Sequence, residues 1–165
     1  MMRALATRVG LALIAATCLA PLAACADDST AVADATWQVT DVYTTPGTPS
    51  AVDDSVAGAV ELGFGGKSVT GFSGCSPLAG MVAFTDESGA AAAPEDATHA
   101  TFSQMQFRPI DESQCTGRVR YIHDALVDLL YDGTFSIRHE GSGEMILQED
   151  KGDADPRAIR LVSVG

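Results

Sequence analysis

Two glycine-rich segments carry residues that could do chemistry, and each departs from the motif it partly matches. Residues 63–68 end in Gly-Lys-Ser, as a phosphate-binding loop does, but Glu61 stands where that loop needs its first glycine, and a carboxylate there would repel phosphate. Residues 71–75 approach the elbow that presents a catalytic serine, but Cys75 replaces the final glycine. The sequence therefore predicts neither a nucleotide site nor a serine hydrolase.

Metal chemistry is equally weakly supported. His99, His123 and His139 are far apart and show no metal-ligand spacing, so we interpret them as unrelated surface or edge residues. The acidic segment 153–156 opens like a calcium loop but fails at three later ligand or turn positions. We predict no catalytic residue, no metal site and no cofactor, and we expect that the protein is not an enzyme.

The N-terminal segment carries the clearest functional signal. Arg3 and Arg8 precede the apolar run 11–20, and small residues follow Pro21, which is the arrangement of a secretory signal. The closing Leu-Ala-Ala-Cys, residues 22–25, resembles the bacterial lipobox. That resemblance implies lipidation of Cys25 and a lipid-anchored, extracytoplasmic location at the bacterial cell membrane, and an ordinary signal peptide is the alternative. We predict a signal peptide at 1–24 and an acidic flexible tether at 25–35.

The charge of the chain limits its partners. With 22 acidic and 10 basic residues, the formal net charge is −12. Such a chain is repelled by nucleic acid, so we expect no nucleic-acid partner. The acids are scattered in pairs, which favours a role in solubility, with weak divalent-cation association as the alternative.

Four cysteines have different expected fates. Cys18 leaves with the signal and Cys25 is acylated, which leaves Cys75 and Cys115. Outside the cytoplasm two such thiols usually pair. In the chain-entropy model a bond that closes a loop of this length contributes about 4 kcal/mol. The alternative is two free buried thiols.

Alternating apolar residues predict several short strands. A helix is predicted after Thr116, because Val119, Ile122, Leu126 and Leu129 fall on one helical face, and Thr116 could cap it. Tyr121, His123, Asp124 and Asp128 would then lie at its sides or outside. The predicted strands are 36–43, 60–64, 67–73, 81–85, 100–107, 134–138, 144–148 and 158–164. This order predicts an α+β fold, with an antiparallel sheet or partly closed β-barrel and one late α-helix.

The domain predicted at 36–165 resembles the META domain of HslJ-like heat-shock proteins. Residues 36–39 (Thr-Trp-Gln-Val) are similar to its first strand, and residues 69–80, with Gly74-Cys75, are similar to its central signature. The second cysteine, Cys115, the helix and the final hairpin follow in the family's order. The resemblance implies an envelope lipoprotein linked to stress or drug tolerance, without an established enzymatic activity.

Two functional hypotheses follow. The first is a non-enzymatic envelope lipoprotein that acts in envelope maintenance or stress and drug tolerance through contacts with an unidentified envelope protein. The second is a lipoprotein that binds a small apolar ligand in a pocket of the β-barrel. The side chains expected to line that pocket are Trp37, Phe64, Phe102 and Phe107. A filled barrel would favour the first hypothesis, and a large convergent apolar pocket would favour the second.

Overall fold

The computed structural model describes residues 31–164, apart from residues 34, 47, 49, 55 and 142. Eight strands and one α-helix make up the fold of these described residues, and the helix lies between the fifth and sixth strands. The elements are β1 (Thr36–Tyr43), β2 (Val60–Phe64), β3 (Ser68–Ser73), β4 (Pro77–Thr85), β5 (His99–Phe107), α1 (Gly117–Leu130), β6 (Thr134–His139), β7 (Glu144–Glu149) and β8 (Ala158–Ser163).

The strands form a closed antiparallel barrel in sequence order. Each strand pairs with the next, and β1 closes the barrel against β8, with Val39 opposite Leu161 and Val42 opposite Ile159. The predicted antiparallel strands and single late helix are confirmed, and of the two predicted forms, an antiparallel sheet or a partly closed barrel, the structure has a barrel, which is fully closed. Closure leaves none of these eight strands with a free edge for pairing with another chain.

Alternation along the strands fills the barrel with apolar side chains. In β1, Trp37, Val39 and Val42 are buried. Aromatic rings meet inside, where Phe102 contacts Phe135 edge to face with centroids 5.5 Å apart. The interior is therefore a packed core, as expected of a small barrel.

Helix α1 closes one end of the barrel. Of the predicted apolar face, Ile122, Leu126 and Leu129 have no exposed surface, which confirms these three positions, whereas Val119 is only partly buried. Thr116 occupies the N-cap position as predicted, but its side chain makes no capping hydrogen bond. The helix ends at Leu130, and the Tyr131 N–H donates to the Val127 carbonyl at 3.1 Å.

The chain preceding β1 covers the opposite end. Val32 is buried, and its carbonyl accepts a hydrogen bond of 3.1 Å from the indole N–H of Trp37. Ala33 pairs with Phe64 at the end of β2. Residues 31–33 were predicted to be part of the tether, and in the structure Val32 and Ala33 lie against the barrel while Ala31 is exposed. The predicted signal peptide and Cys25 lie outside the described residues.

Strand β4 begins at Pro77, whereas the sequence predicted a start at Met81. Proline is tolerated as the first residue of a strand, and the small residues after it hide the alternation. Further along, two residues of β5, Gln104 and Met105, face Gly80 alone, so the ladder contains a bulge. A Cβ at Gly80 would collide with the Met105 sulfur, and Gln104 has a φ of 52°.

Candidate functional site

A pair of cysteines joins the barrel to the segment that leads into α1. The sulfur atoms of Cys75 and Cys115 lie at disulfide-bonding distance, and their Cα atoms are 5.3 Å apart. Cys75 follows β3, and Cys115 is buried just before α1. The pair therefore ties the start of the helix to the end of the barrel that the helix closes.

Local turns bring the two cysteines together. Gly74 has a φ of 89°, a conformation that favours glycine and turns the chain from β3 toward β4. On the other side, the Asp111 carbonyl accepts the Cys115 N–H at 2.9 Å. The Asp111 carboxylate accepts the Ser113 N–H and hydroxyl at 2.9 and 2.6 Å, and the Ser113 hydroxyl is the main reason its pKa is lowered.

A buried polar pair lies next to this junction. The Ser73 hydroxyl is 2.7 Å from Nδ1 of His123, and it also contacts the Ser76 carbonyl at 3.0 Å and accepts the Ser76 N–H at 3.1 Å. Ser73 is fully buried, so its hydroxyl is shielded from solvent in this structure. Burial lowers the pKa of His123, because it disfavours the charged imidazole.

The prediction that His123 is a surface or edge residue is wrong. Its side chain is 6% exposed and packs edge to face against Phe107, with centroids 6.1 Å apart. The signal was present in the sequence, since His123 lies four residues after Val119 and three before Leu126 on the apolar side of α1. Because histidine is a polar residue, this spacing was not interpreted as a position on the buried face of the helix.

A second polar cluster, Glu149, Arg157, Asp128 and Lys151, fastens β7 to α1 and to the loop before β8. The carboxylate of Glu149 accepts two hydrogen bonds of 2.7 Å from Arg157, which also pairs with Asp128. Lys151 lies 2.6 Å from the same carboxylate. The hydrogen bonds from Arg157 are the main reason that the pKa of Glu149 is lowered, and Lys151 adds to this effect. The same bonds to Glu149 raise the pKa of Arg157. The sequence contains no motif for this cluster, because the β7–β8 turn first has to bring Arg157 back to Glu149, and the fold then places Asp128 of α1 beside them.

The aromatic residues predicted to line a pocket lie in or near the core. Trp37, Phe64 and Phe102 are buried, and the rings of Phe64 and Phe102 have centroids 6.4 Å apart. Phe107 is partly buried against His123. Trp37 also lines a cavity of about 360 Å³ at the Val32 end, together with Glu95 and His139. The structure thus brings Phe64 and Phe102 together as packing partners and places Phe107 at the helix end.

Two larger grooves lie on the outer surface of the barrel. One, of about 560 Å³, crosses β1, β8, β7 and β6 and is lined by charged groups that include Asp41, Arg160 and Arg138. Arg160 pairs with Glu144 at 2.8 Å and Arg138 with Glu140 at 2.8 Å, so these charges are internally compensated. The other, of about 420 Å³, lies outside β4 and is mostly apolar.

The histidine, cysteine and acidic side chains do not converge on a metal geometry. In residues 31–164, outside the five gaps, no three of them lie close enough together to hold an ion. No helix within that same part of the chain has the length and apolar character needed to cross a membrane.

Comparison with known proteins adds no relative. No protein-family model, no curated protein and no solved structure matched the chain.

Proposed function

We propose that this protein is a bacterial envelope lipoprotein that acts through protein contacts and not by catalysis. In this proposal Cys25 carries the lipid, and the barrel is held outside the cytoplasm at the cell membrane. Its role is envelope maintenance or stress and drug tolerance, as the resemblance to META and HslJ-like domains implies.

The observation that carries the proposal is the closed, filled barrel whose covering helix is tied down at Cys75 and Cys115. A cysteine pair at bonding distance fits an oxidising compartment, in agreement with the signal-like N-terminus. A barrel packed with side chains leaves its outer surface and loops for recognition.

The META-like assignment is part of the same proposal. The signature residues Gly74 and Cys75 lie in the turn between β3 and β4, and the second cysteine, Cys115, lies two residues before α1. This placement supports a structural role for the signature, in which it fastens the helix onto the barrel.

Replacing Cys25 by Ala tests the anchor. We expect the variant to move from the membrane fraction to the soluble extracytoplasmic fraction and to lose incorporation of labelled palmitate, because the acyl chains provide the membrane affinity. Cys18→Ala is the matched control and should fractionate like the natural chain. A Cys25→Ala protein that stays with the membrane would refute the lipobox interpretation.

A further inference from the structure

The apolar groove outside β4 has the size and lining of a ligand site. It holds about 420 Å³ between the β2–β3 turn on one side and the segment after β4 on the other. Small-molecule sites of this volume are usually apolar with a few polar groups. Its lining residues are Gly66, Lys67, Met81, Val82, Ala83, Phe84, Thr85, Ala91, Ala92, Ser103 and Gln104.

Residue size and strand irregularity explain why the groove is open. Ala83, Ala91 and Ala92 are too small to fill the space above β4, and Met81 leaves 42% of its surface exposed there. The bulge in β5 begins at Gln104, the residue with a positive φ. Bulges bend strands and are frequent beside binding sites.

The charge of the groove is opposite to that of the protein. Among the described residues that line it, Lys67 is the one with a charged side chain, in a chain with 22 acidic and 10 basic residues. Lys67 forms no ion pair with any carboxylate of the described residues, whereas Lys151, Arg157 and Arg160 each do. An ammonium group beside an apolar surface complements a ligand that has one anionic end and one apolar chain.

We propose that this groove binds a free fatty acid, with the carboxylate at the Lys67 ammonium and the acyl chain along Met81 and Ala83. Thr85, Ser103 and Gln104 supply the few polar groups at its margin. The inference deepens the ligand-binding alternative by moving its site from the barrel interior to the outer surface. It does not depend on lipidation of Cys25.

The test uses the full chain with Cys25→Ala, purified without detergent, so that no lipid of its own competes. Calorimetric titration with dodecanoate below its micelle concentration should give saturable binding. Dodecanol, which has the same chain and no charge, should bind more weakly. Lys67→Glu should weaken dodecanoate binding about tenfold or more, because it replaces a charge-assisted contact by repulsion.

Two further variants establish whether the ligand occupies the groove itself. Ala83→Phe on the outer face should fill the groove and abolish binding of both ligands, with the melting temperature unchanged. Arg108→Glu makes the same charge change at the helix end of the barrel and should leave dodecanoate affinity unchanged. Equal effects of Lys67→Glu and Arg108→Glu would overturn the proposal.

Other occupants would give different results. Binding to phosphatidylglycerol vesicles that Ala83→Phe removes, without binding of dodecanoate, would make the groove a membrane contact. A concentration-dependent dimer that Ala83→Phe disrupts, again without dodecanoate binding, would make it an interface between two copies. Either result would overturn the proposal.

Discussion

At the scale of single residues, His123 links the stability of the protein to pH. Burial lowers its folded-state pKa below the ordinary value of 6.5. Asp124 acts in the opposite direction, Arg120 reinforces the shift, and Ser73 and Phe107 are its neutral neighbours. The unfolded chain therefore binds the proton more readily than the folded protein does.

We accordingly expect the free energy of unfolding to be greatest above pH 6.5 and to fall as pH drops toward the lowered pKa of His123. The slope from this group is at most about 1.4 kcal/mol per pH unit. Urea unfolding at about pH 7.5 and about pH 5.5 measures it, on either side of the ordinary histidine pKa. His123→Asn should reduce the difference in unfolding free energy between these two pH values. The control variant His139→Asn, at an exposed position, should leave that difference unchanged. A natural-like pH dependence in His123→Asn would contradict the assignment.

Glu149 is the residue whose loss should be most costly among the ion-paired carboxylates. Its side chain is 3% exposed, and its carboxylate accepts two hydrogen bonds from Arg157. Glu149→Gln removes the negative charge of this carboxylate. We expect a loss of about 2–4 kcal/mol in urea unfolding at neutral pH. Because its folded-state pKa is lowered, the stabilisation by Glu149 is present above its ordinary pKa and is lost as pH falls below it.

Glu144→Gln is the matched control for that variant. Glu144 pairs with Arg160 at 2.8 Å, but both side chains are more exposed. The loss there should stay below about 1 kcal/mol. Equal costs at the two positions would mean that the Glu149 cluster is an ordinary surface ion pair.

At the scale of elements, the junction between β3 and α1 depends on the two cysteines. The double variant Cys75→Ser, Cys115→Ser should lose about 2–5 kcal/mol of unfolding free energy, since the unfolded chain gains the freedom of a 40-residue loop. Thermal unfolding with and without reductant measures the same effect on the natural chain. If reductant shifts the melting temperature of the double variant equally, the shift has another cause.

Strand and helix positions were largely predictable from the sequence, because the barrel strands alternate and α1 has a regular apolar face. The start of β4 was not, since Pro77 and Gly80 carry no alternation signal. The bulge at Gln104 was hidden for a related reason, as it depends on Met105 filling the space left by Gly80. The alternation of apolar and polar residues along a strand does not show where the register between two paired strands shifts at a bulge.

The candidate sites were much less predictable than the elements. The Glu149 cluster joins the β7–β8 hairpin to Asp128 of α1, and the groove at Lys67 combines four separate segments, so neither forms a local motif. Trp37, Phe64 and Phe102 were expected to line a pocket from their residue type alone. In the closed barrel Phe64 and Phe102 are packing partners, whereas Trp37 is buried and also lines the cavity at the Val32 end.

At the scale of the whole molecule, the folded domain begins before β1. Val32 is buried and its carbonyl accepts the Trp37 hydrogen bond, so residues 31–165 should fold with the stability of the longer chain. A chain of residues 36–165 should be less stable by about 2–4 kcal/mol, from the lost apolar burial and the unpartnered indole N–H. Urea unfolding of both lengths measures this difference, and equal midpoints would place the domain boundary at residue 36.

The position of Val32 also determines how the barrel would be oriented relative to a membrane. If Cys25 carries the lipid, the six residues to Ala31 reach at most about 20 Å, so the Val32 end must stay close to the bilayer. The nine residues of β4, tilted as barrel strands are, span a barrel height of roughly 20–25 Å, which places the cysteine pair and α1 on the far side. The groove at Lys67, beside the end of β2, would then open a short distance from the membrane, where amphiphiles leaving the bilayer are most concentrated.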